Sequence, residues 1–178
     1  MSSDAYQLLD ASQFSDALDR LAGRIVAQVD DPVLVGILRR GVPIAEQLAE
    51  RIESLTDHTP ECGELELKRY TDDLDIISER PELDDDPFDV DVDGRTVLLV
   101  DDVLYSGRTM FRAAGFLNAR GAETIHPAVV CSRGPNDMPI HAHFVAMQLD
   151  VRTPNIIEVH APPYEDGWGV QLRKQPDD

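Results

Sequence analysis

The chain is 178 residues long, 42% hydrophobic and 28% charged, and sets 34 acidic residues against 16 basic ones for a formal net charge of −18. This is the size and mixture of one globular domain, residues 1–178, and it excludes a disordered, collagen-like or disulfide-scaffold chain, since Cys62 and Cys131 are the only cysteines. No apolar run reaches the ~18 residues that cross a bilayer, and Met1–Asp10 has no secretory leader pattern, so the cytoplasm is the expected compartment. Nearly all the bases are arginine, Lys68 and Lys174 being the lysines. Such an acidic excess repels phosphate backbones; it suits a salt-rich cytoplasm, where screening relieves self-repulsion, although ordinary acidic variation gives the same composition.

In chain order, residues 12–29 carry Phe14, Leu18, Leu21, Ile25 and Val29 at helical spacing, with Ser12 or Ser15 as the cap and Asp30–Pro32 as the stop. The run 33–38 is apolar throughout, as in a strand buried on both faces. Arg39-Arg40-Gly41 then makes a turn, and Pro43 sits in the first turn of a helix running to about Leu55. Glu64 to Tyr70 alternates like a short strand. Residues 71–93 are crowded with aspartate and read as a mobile loop or arm, a candidate lid. A buried strand at 96–100, a helix at 109–120 ended by Gly121, and strands at 125–130 and 144–149 follow, with short strands at 156–159 and 170–172 in the tail. Alternating strands and helices predict an α/β domain with a mostly parallel sheet.

The segment that carries chemistry is Val97-Leu98-Leu99-Val100-Asp101-Asp102-Val103-Leu104-Tyr105-Ser106-Gly107-Arg108-Thr109. A buried strand ends in two adjacent carboxylates, and a loop containing Ser106, Gly107 and Thr109 runs into a helix start. In an open α/β sheet ligands sit beyond the carboxyl ends of the strands. Free N–H groups and the dipole at a helix start favour an anion, and Gly107 lets the backbone approach it. Two carboxylates repel a phosphate, so they face a polyol or a metal-bound part of the ligand. Phosphate at the loop and hydroxyls at the acids describe a sugar phosphate, while a capping turn with two solvated aspartates would use the same residue types.

This run resembles the phosphoribosyl diphosphate (PRPP) signature of the type I phosphoribosyltransferases. Within them it is similar to the PyrR group, pyrimidine-operon attenuators that also act as uracil phosphoribosyltransferases. Leu34 to Pro43, Tyr70-Thr71-Asp72-Asp73-Leu74, and Arg133-Gly134 with Met138-Pro139-Ile140 resemble further stretches of that group. The resemblance implies a mostly parallel sheet flanked by helices, with a hood subdomain from residues 144–178 and part of the N-terminus. It implies Asp101 and Asp102 on the ribose hydroxyls and on Mg2+, directly or through water. It implies Val103, Leu104, Tyr105, Ser106, Gly107, Arg108 and Thr109 around the 5′-phosphate. Arg39, Arg40 and Gly41 face the pyrophosphate, with a cis peptide expected at Arg39–Arg40. The implied reaction joins uracil and PRPP to UMP and pyrophosphate through an oxocarbenium-like transition state. Asp101, Asp102, Arg40 and Arg69 are the catalytic candidates, and Tyr105, Met147, Gln148 and Leu149 the base-binding ones.

The departures from the group's pattern set further expectations. Its Tyr-Arg-Asp-Asp-Leu reads Tyr-Thr-Asp-Asp-Leu here, and Arg69, on the same strand face as Thr71, stands in for the arginine. Hypoxanthine-type relatives carry aspartate where Tyr105 stands, which speaks against 6-oxopurines. The base-covering stretch 146–151 lacks the group's lysine, proline and threonine, and its Leu149-Asp150 is similar to the hypoxanthine-type hood. A non-catalytic RNA-binding attenuator and a purine-type enzyme are therefore the alternatives. Asp19 and Gly23 replace helpful first-helix residues, so RNA binding is expected to be weak. A homodimer or higher homo-oligomer is expected. His141 and His143 are expected to share a strand face, Cys131 to sit in the core, and residues 164–168 to form a turn.

Overall fold

The computed structural model describes residues 5–67, 88–152 and 154–174. Its centre is a parallel sheet in the order β3-β2-β4-β5-β6, comprising β2 (Val33–Ile37), β3 (Cys62–Leu65), β4 (Thr96–Leu104), β5 (Thr124–Arg133) and β6 (Phe144–Leu149). Every residue of β2 is buried, because the sheet is covered on both faces. Alternation along the strands divides the core. Leu34, Leu98 and Val100 meet Phe14, Leu18, Ile44 and Leu48 of the helices α1 (Ala11–Val26) and α2 (Gly41–Thr56). Val33, Val35, Val97 and Leu99 meet Met110, Ala113 and Leu117 of α3 (Arg108–Ala119) on the other face.

A second, antiparallel sheet of three strands joins both ends of the chain: β1 (Ala5–Leu9) pairs with β8 (Gly169–Lys174), and β8 with β7 (Asn155–His160). β6, expected to begin the hood, is instead the edge strand of the five-stranded sheet. The sequence pattern does not mark β1, since its first three residues are exposed and none alternate; it acquires strand form by pairing with β8.

Three local expectations are corrected. α1 is capped by Asp10, not by Ser12 or Ser15: the Asp10 carboxylate accepts from Gln13 N at 2.8 Å and the Gln13 side chain accepts from Asp10 N at 3.0 Å, a reciprocal capping box. His141 and His143 lie on an irregular segment, not on a strand; His143 packs against His126 and Phe144, with ring centroids 4.7 and 4.6 Å away. Of the acidic stretch 71–93, residues 71–87 and the lid expectation for them lie outside the described residues. Its end packs, because Phe88, Val90 and Val92 alternate with the aspartates: Val90 and Val92 join the α3-side core and Phe88 meets Phe116 edge-on at 5.3 Å.

Candidate active site

The chain runs from β2 to its neighbour β3 and then returns to β4 on the opposite side of β2. The crevice beyond the carboxyl ends of β2 and β4 is thus a topological switch point, where open α/β sheets bind ligands. Both candidate loops meet there.

β4 delivers Asp101 and Asp102 to its last turn of pleat. Asp101 Oδ1 accepts from Asp102 N at 2.9 Å, and Asp102 Oδ1 from Val103 N at 2.8 Å. Burial, then the adjoining Asp102 carboxylate, pushes the Asp101 carboxyl well above the usual carboxylate range. Residues 101–110, which include all of Val103, Leu104, Tyr105, Ser106, Gly107, Arg108 and Thr109, line a cavity of about 220 Å³. Gly107 turns the chain into α3 at φ 83°, and a Cβ there would lie 2.8 Å from Ile140 Cγ2. The segment after β5 braces this loop, since Asp137 N and Met138 N donate to Ser106 O at 3.0 and 3.1 Å.

The loop after β2 crosses close to β4. A Cβ on Gly41 would lie 2.4 Å from Val100 O, and one on Gly36 would lie 2.6 Å from Val42 Cα, so this approach requires glycine at both places. The cis peptide of the loop is Leu38–Arg39, one bond before the expected Arg39–Arg40. Arg39 is exposed. Arg40 is half-buried and makes a bidentate ion pair with Glu165, its Nη2 lying 2.5 Å from Oε1 and its Nε 3.1 Å from the same oxygen.

A larger cavity, of about 530 Å³, shares Tyr105 and Ser106 with the first and reaches Arg133, Asp150, Val151 and Arg152. The Tyr105 hydroxyl donates to Ile157 O at 2.5 Å and accepts from Ile157 N at 2.6 Å, so its ring rather than its hydroxyl is offered to the cavity. Arg133 places its guanidinium 5.4 Å from the centroid of that ring and donates through Nε to Val151 O. The three base-binding candidates on β6 stop short of this wall: Met147 and Leu149 pack on the first core, and Gln148 is exposed. The wall continues instead in Asp150, Val151 and Arg152. Arg69 lies outside the described residues. Cys131, at the floor of β5, is buried, and burial pushes its thiol up to about 12.

Among the described residues no three His, Cys, Asp or Glu side chains converge as a metal cage. Two hard carboxylates beside this cavity nevertheless fit Mg2+, which is held by one or two carboxylates together with substrate oxygens rather than by an all-protein cage. Glu165 escaped the sequence reading. It sits in a polar turn 125 residues from Arg40, with no local pattern to mark it.

A model of the phosphoribosyl transferase domain matches residues 4–166. The chain is 37% identical over 177 residues to the bifunctional protein PyrR of Nostoc punctiforme, covering 97% of this chain and 98% of the relative. It is also 37% identical over 170 residues to the protein of the same name from Clostridium acetobutylicum, covering 93% and 96%. In solved structures the fold matches the hypoxanthine-guanine enzyme of Leishmania tarentolae in complex with GMP, at a TM-score of 0.74, 14% identity and 98% coverage of both chains. It matches the hypoxanthine phosphoribosyltransferase of Trypanosoma cruzi at a TM-score of 0.73, 14% identity, and coverage of 96% and 97%. At that identity the two share only the architecture, a five-stranded parallel sheet flanked by helices, the type I phosphoribosyltransferase fold. With the match to the family model and to the PyrR proteins across nearly the whole chain, the protein belongs to the phosphoribosyltransferase family, in its PyrR group.

Proposed function

We propose that the protein transfers phosphoribose from PRPP to a free pyrimidine, uracil, giving UMP and pyrophosphate. A base nitrogen forms a bond to C1 of ribose and gives up its proton to solvent, while the C1–oxygen bond breaks and its electron pair leaves with pyrophosphate. The observation that carries the reading is the meeting, at one switch point, of the Asp101-Asp102 pair, the 103–109 loop and the Arg40-Gly41 loop. Asp101 and Asp102 hold the ribose hydroxyls and the metal. Leu104 to Thr109 cradle the 5′-phosphate with backbone N–H groups and the hydroxyls of Ser106 and Thr109. Arg39, Arg40 and Gly41 face the pyrophosphate, and Arg40 stabilises its growing charge. Bound Mg2+ supplies charge neutralisation on the leaving group. Fixed placement of the two reactants does the rest of the work.

The base lies in the larger cavity against the Tyr105 ring, with Asp150, Val151 and Arg152 continuing its wall. Tyr105 offers no carboxylate to a purine nitrogen, which favours uracil over 6-oxopurines. The protein acts in the cytoplasm as a homodimer or higher homo-oligomer; among the described residues no helix is long and apolar enough to cross a membrane. A PRPP-dependent assay over uracil, hypoxanthine, guanine and orotate, in low and high salt with Mg2+, tests the reading. Uracil is expected to be the preferred acceptor, and preferential hypoxanthine turnover overturns the base assignment. PRPP binding with no turnover of any base would favour a non-catalytic attenuator.

A further inference from the structure

The hood sheet carries one acidic side chain into the region of the pyrophosphate loop. The connection between β7 and β8 folds back on itself: Tyr164 N donates to Ala161 O at 3.0 Å, and the Glu165 carboxylate accepts from Ala161 N at 2.8 Å. Ala161 is fully buried, so this anchor is fixed. The same carboxylate receives Nε and Nη2 of Arg40, the side-on fork of the guanidinium. That arrangement leaves Nη1, and the outer N–H of Nη2, without an acceptor among the described residues. Arg40 keeps about two-fifths of its side chain exposed, with 41% relative accessibility against 20% for Glu165. A long arginine otherwise loses much rotamer freedom when it grips an anion. Here the carboxylate has already fixed the plane of the guanidinium, and the end-on fork stays open for a second anion.

We propose that Glu165 is a positioning residue for pyrophosphate: it holds Arg40 by its side-on edge so that the end-on edge meets the leaving group. The inference rests on the phosphoribosyl-transfer reading. Glu165 touches neither substrate nor product. Its carboxylate also ties the loop after β2 to the β7–β8 connection, so that loop and the three-stranded sheet share one anchor. In the β7–β8 connection this carboxylate is the one spent on a partner outside its own turn; among the described residues, neighbouring Asp166 makes no hydrogen bond to the loop.

Binding of inorganic pyrophosphate in the presence of Mg2+, measured by titration calorimetry on the full chain, tests this. Glu165→Gln is expected to weaken binding by about tenfold, the scale of one charge-assisted bond. Glu165→Asp should recover part of the loss, because it keeps the charge and shortens the reach. Arg40→Gln is expected to weaken binding by a similar factor. The double variant should be no worse than Arg40→Gln alone, since Glu165 acts only through Arg40. In turnover, Glu165→Gln should change KM for PRPP more than kcat. Unchanged or tighter pyrophosphate binding by a folded Glu165→Gln overturns the proposal, as do losses that add in the double variant. If the unaltered protein binds neither PRPP nor pyrophosphate, the transfer reading itself falls, and this inference with it; binding by the unaltered protein that is indifferent to Glu165 removes only the positioning role.

Discussion

The hydroxyl of Tyr105 and the main chain of Ile157 exchange two hydrogen bonds, one in each direction, of 2.5 and 2.6 Å. An aromatic ring at the mouth of the candidate site thereby stitches the loop after β4 to the middle strand residues of β7. Tyr105→Phe keeps the ring and leaves a buried N–H and C=O of β7 without their partner. The cost should be about 1–3 kcal/mol, read as a lower Tm and a lower denaturant midpoint. Because the ring still faces the cavity, the proposed preference for uracil over hypoxanthine should survive in the folded fraction. A variant as stable as the parent would show the two bonds to be energetically idle.

Asp101 makes a prediction of opposite sign for stability and binding. Its carboxyl lies well above the ordinary range in the folded protein, so ionising it there is unfavourable. Its contribution is therefore stabilising at pH below the unfolded value and is lost as pH rises through and beyond it. Asp101→Asn removes that dependence while keeping an oxygen to accept from Asp102 N. The variant should melt at or above the parent's Tm at neutral pH, with the difference shrinking in acid. The double change Asp101→Asn and Asp102→Asn should abolish PRPP binding in calorimetry. Unaltered affinity would remove these carboxylates from the binding site.

Gly41 is a steric test of the approach between two loops. The Cβ of Gly41→Ala would meet Val100 O, a backbone atom that cannot swing aside. Overpacking of this kind costs about 1–3 kcal/mol, which for a chain of this size lowers Tm by roughly 2–12 °C. Pyrophosphate binding should fall with it. Gly115→Ala is the control, since nothing lies within 4 Å of the added Cβ.

The two thiols should separate in labelling kinetics. Cys131 is fully buried and its thiol is held at about 12, chiefly by burial and then by the Asp102 carboxylate. Cys62 is exposed, although partial burial and Glu46 and Glu61 push its thiol up as well. A disulfide reagent at mildly alkaline pH is expected to modify Cys62 slowly in the native state and Cys131 only on unfolding. Fast native labelling of Cys131 would mean that β5 opens locally.

RNA should bind weakly. A chain with 34 acids and 16 bases must gather arginine to hold a polyanion, yet several arginines are already engaged: Arg24 donates to Val145 O at 2.9 Å and Arg51 pairs with Asp19 at 2.7 Å. Each phosphate that is neutralised steepens the log–log salt slope by about 0.7–0.9. Filter-binding titrations with a pyrimidine leader RNA, with and without a uridine nucleotide, should show weak binding that vanishes with salt. Tight, sequence-selective binding at high salt would restore the attenuator reading.

What the sequence disclosed was local. The runs 33–38 and 96–100 read as buried strands because both faces are apolar, which the structure carries on through Asp101-Asp102 to Leu104, and the Asp-Asp-loop-helix segment is contiguous, so its assembly needs no distant partner. What stayed hidden was long-range. The Tyr105–Ile157 bonds span 52 residues and the Arg40–Glu165 pair spans 125, and nothing in either local pattern names the partner. The wall of the larger cavity lies just past the expected Met147-Gln148-Leu149, because β6 spends Met147 and Leu149 on the core before the chain turns. Residues 88–93 read as loop by composition because their aspartates outweigh Phe88, Val90 and Val92, although the alternation places those three inward.

The pairing of Ala5–Leu9 with Gly169–Lys174 imposes an order on biosynthesis. All five strands of the parallel sheet have left the ribosome once Leu149 has emerged, so that sheet can assemble on the nascent chain. β1 must wait for β8 to pair, and the ring-closing entropy across that interval grows only slowly with its length. Until Ile157 and Glu165 appear, Tyr105 and Arg40 have no anchors. The nascent protein therefore holds a folded sheet before it holds the anchors of the candidate cleft.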